Sequence, residues 1–307
     1  MEKHDRNKRK VVYGSEIEFF DGRVWKNISE YKKGDKMLTF FWEDNHVELL
    51  QPLQFSRTNK GRATMDKVIF RGIEVSTNMD FVFMGDYRNG QYDDELKTIC
   101  TLKEAIESNF MLLSHINMYA SFTYDSKFSS MLSEDKLRVM MISLMVGEVK
   151  ENECSMIVNE GLKEHIRGCL KNGGMVYNIN KVGKDYLIKY RLPRDKKLFI
   201  ESPLMLSSEE VNILIDEIEY LSKDKRKLNP TNRDSFDFIQ MLYALSGRRV
   251  EIMDKHLVRE NRGVFVPERR TKVEQSKEKV EYTFATKSGY VVLRSNGKIF
   301  VGSDYKK

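Results

Sequence analysis

Apolar and polar positions change their rhythm twice along the chain. From residue 11 to about 85 the apolar residues come in short runs rich in β-branched and aromatic side chains, and no 3.6-residue period persists. "VVYGSEIEFFDGRVWKNI" holds two such runs around Asp21-Gly22, which predicts a hairpin. "YKKGDKMLTFFW", "DKVIFRGIEVST" and "DFVFMG" continue the strand pattern. From about residue 133 the period becomes helical. Ser133 is placed as an N-cap with acids in the first turn, and Leu137, Met140, Met141, Leu144 and Met145 form a stripe that reads as core. A second stripe, Leu162, Ile166, Cys169 and Leu170, stops at Gly173-Gly174. "MVYNINKVGKDYLIKYRL" reads as two strands around Gly183.

Ser207-x-x-Glu210 then opens another helix as a capping box, with a stripe of Val211, Leu214, Ile218 and Leu221. "DSFDFIQMLYALSGRRVEIM" predicts a further helix ending at Gly247, followed by a strand. After about residue 279 the pattern is β again. Asn296-Gly297 is the dipeptide of a two-residue type I′ turn, because both positions need φ > 0. An isolated hairpin is not stable in water, so this one must close onto earlier strands. The sequence β, α/β, β is the pattern of an α/β unit inserted into a β-domain.

Composition narrows the class. Apolar content of 40% supports packed cores, and 5 Pro with 18 Gly excludes a fibrous or low-complexity chain. No apolar run approaches the ~20 residues of a membrane span, and the basic N-terminus "MEKHDRNKRK" lacks the apolar stretch of a secretory signal. Cys100, Cys154 and Cys169 are widely spaced and odd in number, which fits a reducing, cytoplasmic setting. The net charge of +6 is uneven: residues 1–10 hold five Lys/Arg against two acids, and residues 248–280 hold ten against six. "KDKRK" at 223–227 is a third cluster, and such clusters suit a polyanion.

"GSEIEFFDGRVWKNISEYKKGDKML", "FRGIEVSTNMDFVFM" and the closing "YTFATKSGYVVLRSNGKIFVGS" together resemble, in order and separation, the Hint domain shared by inteins and hedgehog autoprocessing proteins. The middle of the chain resembles a LAGLIDADG homing endonuclease, the usual passenger of inteins. "MISLMVGEV" can be laid on the first motif with Ser143 and Gly147 as small packing residues and Glu148 as the acid; a second register puts Val146 at the acid position. "LIDEIEYLS" takes the second motif, with Leu221 at the acid position and Ser222 at the final glycine. "FDFIQMLYALSGRRVEI" is similar to the helix–turn–strand that follows, through Asp237, Gln240, Leu242 and Gly247. The resemblance implies an α+β fold: an all-β Hint-like domain interrupted by an α/β LAGLIDADG-like saddle. Residues 1–130 and the hairpin of 279–307 form the first, and residues 131–278 the second.

The departures from both families shape the functional reading. The splicing nucleophile position holds Val11, which cannot perform an acyl shift. The histidine position holds Met79, with Ser76 before it, and the terminal asparagine position holds Ser303. Ser15 and Ser303 read as turn serines, and no autoprocessing is expected. Two-metal DNA cleavage needs carboxylates around Mg²⁺, and Glu148 is the one candidate catalytic and metal-ligating residue; Asp216 and Asp224 are poorly placed to help. Binding of double-stranded DNA can outlast the chemistry. In the saddle two antiparallel sheets sit in the major groove, and the expected contacts are Lys181, Lys184, Lys189 and Arg191, with Lys225, Arg226, Arg248, Arg249, Lys255 and Arg259 in the second half. Three readings stay open: a splicing-dead, intein-derived DNA-binding protein of phage type, acting in the cytoplasm of an infected bacterium; a residually active Mg²⁺-dependent endonuclease or nickase; and a repurposed structural protein docking in a phage or host complex.

Overall fold

The structure is a computed structural model. It describes residues 11–41, 46–70, 73–80, 82–86, 97–103, 132–192, 202–222, 224, 227–231, 235–248, 250–253, 256–259 and 272–304. The chain is α+β and forms two compact units. Unit one joins Met1–Thr123 with Asn261–Lys307, and unit two is Tyr124–Glu260.

In unit one the strands are β1 (Glu18–Phe20), β2 (Trp25–Asn27), β3 (Met37–Phe41), β4 (His46–Leu50), β5 (Gln54–Asn59), β6 (Asp66–Phe70), β7 (Ile73–Thr77), β8 (Val82–Asp86) and β9 (Lys97–Thr101). In unit two they are β10 (Glu148–Lys150), β11 (Glu153–Val158), β12 (Tyr177–Val182), β13 (Asp185–Arg191), β14 (Lys227–Leu228), β15 (Val250–Met253) and β16 (His256–Arg259). Unit one resumes with β17 (Lys272–Gln275), β18 (Val280–Ala285), β19 (Tyr290–Ser295) and β20 (Lys298–Ser303).

The Asp21-Gly22 signal folds as expected. Gly22 takes φ +104°, and the Asp21 carboxylate accepts hydrogen bonds from the Arg23 and Val24 amides. The terminal hairpin turns through Asn296 at φ +50° and Gly297 at φ +72°. It closes onto the N-terminal strands in the order β2-β1-β19-β3-β4, with β20 outside β19. β18 pairs with β5, and β17 pairs with β6, so unit one resumes before residue 278. Its core mixes aliphatic residues such as Ile17, Val75 and Leu293 with the aromatics Tyr13, Phe19, Tyr282, Phe284 and Phe300.

Among the described residues unit two holds four α-helices, α1 (Glu134–Val146), α2 (Glu160–Asn172), α3 (Ser208–Leu221) and α4 (Ser235–Leu245), and two sheets, β10-β11-β13-β12 and β14-β16-β15. The first half runs helix, hairpin, helix, hairpin, and the second runs helix, strand, helix, hairpin. In both, the strand before the second helix pairs with the last strand of the final hairpin. The capping box at Ser207 forms with both hydrogen bonds in place. The α1 stripe is wider than its period implies. Val139 and Ile142 are buried as well, while Leu144 is half-buried, because α1 packs against both α2 and α3. No helix among the described residues is long and apolar enough to cross a membrane.

Candidate nucleic-acid interface

Strand alternation sorts the side chains of the first sheet onto two faces. Cys154, Met156 and Val158 of β11 and Ile188 and Tyr190 of β13 are buried. The other face is turned away from the helices. Its register aligns Glu148, Ser155, Lys189 and Asn178 in one row across four strands, and Lys150, Glu153 and Arg191 in the next. A third row holds Ile157, Leu187 and Asn180. Lys189 and Arg191 therefore share the exposed face. Lys184 lies in the exposed turn beside Gly183, which takes φ +63°. Lys181 pairs with Tyr186, on the face turned toward α2.

Charges on this face are largely matched. Lys150 Nζ lies 2.9 Å from Glu148, and Lys189 Nζ lies 3.5 Å from Glu153. In the second half the arginines turn to a helix instead. Arg248 Nη1 donates to Glu219 on α3 at 2.9 Å, and Arg259 Nη1 lies 4.0 Å from the same oxygen. Arg259 sits on the face of β16 that also carries buried Leu257. Lys225, Arg226, Arg249 and Lys255 lie outside the described residues.

Gly147 closes α1 and lets β10 start at once. A Cβ there would overlap Cys154 Sγ and lie 2.8 Å from Ser143 O. Ser143 is buried, its hydroxyl donating to Val139 O at 2.8 Å and pairing with the Tyr190 hydroxyl. Glu148 therefore sits one residue past the helix, on the exposed first strand. Leu221 and Ser222 hold the corresponding end of α3: Leu221 is buried, and the Ser222 hydroxyl donates to Ile218 O at 2.7 Å. A hard Mg²⁺ ion takes several oxygen ligands. Glu148 offers one carboxylate, already engaged by an ammonium group. Among the described residues no three His, Cys, Asp or Glu side chains gather in a metal-binding group. The residues described do not fit a two-metal centre.

No family model matches the sequence, and no curated protein matches it. Among solved structures the chain is similar to the N-terminal LAGLIDADG domain of DUF199/WhiA, at TM-score 0.34 and 8% identity, over 44% of this chain and 79% of that one. It is also similar to full-length DUF199/WhiA from Thermatoga maritima, at TM-score 0.33 and 9% identity, over 42% of this chain and 52% of that one. The likeness is weak. It spans about half of the full-length protein.

Two further arrangements lie away from this face, and the first of them was not legible as a site in the sequence. Between α1, α2 and α3, fully buried Glu217 accepts hydrogen bonds from Arg138 and pairs with His165, each at 2.8 Å. A carboxylate between Leu214 and Leu221 on an otherwise apolar stripe is the signal that could have marked it. Cys169 lies 3.8 Å from His165 Nε2, and burial followed by the Glu217 charge pushes its thiol up to about 11.

The second arrangement is in unit one, where the three segments compared with the splicing motifs meet. Tyr13 exchanges backbone hydrogen bonds with Tyr282 at 2.9 Å, Gly14 N donates to Ser76 O at 2.8 Å, and Thr77 Oγ1 donates to Val12 O at 2.8 Å. The Tyr13 hydroxyl donates to Ser303 O. Val11 and Ser303 are buried in this junction, and Met79 lies at its edge.

Proposed function

We propose that the chain is a free-standing duplex-DNA-binding protein of homing-endonuclease-like architecture, splicing-dead and with weak or absent nuclease activity. The observation that carries this reading is the exposed sheet face of unit two. Lys189, Arg191, Asn178, Asn180 and Ser155 stand on it in adjacent rows. Cations neutralise phosphates, while amides and hydroxyls donate to and accept from base edges in the major groove, which admits β-strands. The splicing-dead, intein-derived part of the reading is supported by the meeting of residues 11–14, 76–79 and 302–303, where Val11 and Met79 stand at the positions that the resemblance assigns to a nucleophile and a proton donor.

Binding to a mixed-sequence duplex, followed by fluorescence anisotropy across a salt series, tests the reading. Affinity should fall steeply with salt, with a logarithmic slope of about 0.9 per phosphate neutralised. A plasmid incubated with Mg²⁺ should stay supercoiled. Mg²⁺-dependent nicking abolished by Glu148→Gln would instead favour a residual nickase.

A second reading, a docking protein of a phage or host complex, is favoured by the matched charges at Glu148–Lys150 and Glu153–Lys189 around exposed Ile157. Absence of duplex binding at low salt would select it.

A further inference from the structure

Arg259 Nε and Nη2 and the Tyr243 hydroxyl are buried; the hydroxyl lies against the Arg259 guanidinium, and no carboxylate or carbonyl among the described residues accepts from any of the three. They belong to one cluster. Arg248 and Arg259 approach the same Glu219 oxygen at 2.9 and 4.0 Å, so two guanidinium groups face one carboxylate. Tyr243 is 1% exposed on α4, beside Arg259, Arg248 and Glu219. Burial raises its phenol to about 12, with the arginines opposing the rise, so it remains a donor at neutral pH. Arg248 and Glu219, each more than a third exposed, form the open side of the cluster. Leaving a buried donor without an acceptor is unfavourable, and more so on a charged group. A surplus positive charge with buried donors that no described carboxylate or carbonyl meets calls for an acceptor with several oxygens.

We propose that Arg248, Arg259 and Tyr243 form a binding site for a single phosphate group, entering beside Glu219. A phosphate presents several acceptor oxygens in a tetrahedron and pairs with guanidinium in bidentate fashion. Its charge satisfies both arginines, which the single carboxylate does not. The inference stands apart from the duplex reading, because it needs only the side chains around Glu219.

The test uses the full chain and inorganic phosphate, with chloride at matched ionic strength as the control. Phosphate should raise the melting temperature in a saturable way, and ³¹P line broadening should report the same affinity. Tyr243→Phe removes one hydroxyl at constant shape and should weaken phosphate binding about tenfold, the equivalent of one hydrogen bond. Arg259→Gln should abolish it. Should Arg259→Gln fail to fold, Tyr243→Phe and Arg248→Gln carry the test. If phosphate competes with duplex and the same variants weaken duplex binding, the phosphate is that of a nucleic-acid backbone. If phosphate binds and duplex affinity is unchanged, the ligand is a free phosphate or a small phosphorylated molecule. No phosphate effect beyond that of chloride, or an effect that survives Tyr243→Phe and Arg248→Gln, overturns the proposal.

Discussion

Apart from the extra strand β10 in the first, the two halves of unit two follow the same order of described elements, but they place their positive charge differently. In the first half Lys189 and Arg191 project from the exposed sheet face. In the second, Arg248 and Arg259 converge on Glu219 of α3. The helices differ as well. The first half's Arg138 and His165 are both satisfied by a carboxylate of the second half, Glu217. Lys and Arg counts along a sequence therefore overstate what a surface can offer to a polyanion. A cation already facing a carboxylate meets a phosphate only in competition with that partner or in excess of it.

The largest expected effect comes from the charge shared by the halves. Glu217→Ala leaves Arg138 and His165 facing a buried void, and breaking a buried ion pair from one side costs about 3–5 kcal/mol. Denaturant unfolding of the full chain should show the transition of unit two moved to lower urea. A loss below about 1 kcal/mol would mean that the halves are held by apolar packing alone.

Next comes the close approach at the end of α1. Gly147→Ala should cost about 1–3 kcal/mol, because the added methyl meets Cys154 Sγ and the Ser143 carbonyl in a filled core. The C-cap of α3, Ser222, already carries a side chain, so Ser222→Ala should cost less than about 1 kcal/mol, the net value of one hydrogen bond. Equal costs at the two positions would contradict the difference between the halves.

A carboxylate of unit one supplies the counter-case to Glu217. Glu16 is partly buried, one of its oxygens has no partner, and its other oxygen accepts from the Ser76 amide. Burial raises its pKa, the Ser76 amide partly offsets the rise, and Glu278 adds to it. The folded chain thus holds this proton more tightly than the unfolded chain. Stability is lost as pH climbs from the ordinary carboxylate range through the folded value, and the loss persists at neutral pH. Glu16→Gln keeps the acceptor and removes the charge. It should raise the stability of unit one at neutral pH by about 1 kcal/mol and flatten that part of the pH dependence. The melting temperature of unit one, measured between about pH 4 and pH 7, checks the sign. A variant less stable than the parent at pH 7 would refute it.

The smallest effect is expected at Glu148. It is exposed, with an ion pair to an equally exposed Lys150, so Glu148→Gln should change stability by less than about 0.5 kcal/mol.

Much of the fold was legible because local signals agreed with tertiary demand. Asp21-Gly22, the Ser207 capping box and Asn296-Gly297 each specify a backbone conformation independently of what packs around them. The terminal hairpin had to pair with earlier strands, since it cannot stand alone. The alternation in β13 correctly put Lys189 and Arg191 on one face. The site was less legible for a physical reason. Ion pairing depends on register and on partners far away in sequence, as with Glu217 and Arg138 or Arg248 and Glu219. Neither periodicity nor charge counting reports those partners. The same holds for Lys181, whose face is set by its register against Tyr186.

The account rests on the exposed sheet face of the first half being the duplex-binding surface. The most direct measurement is the salt slope of duplex affinity for the parent chain and for Lys189→Ala with Arg191→Ala. The account predicts weaker binding and a slope flatter by about one to two units, because one or two phosphate contacts are lost. An unchanged slope and affinity in the double variant, with duplex binding otherwise intact, would place the nucleic acid elsewhere on the molecule and contradict the assignment.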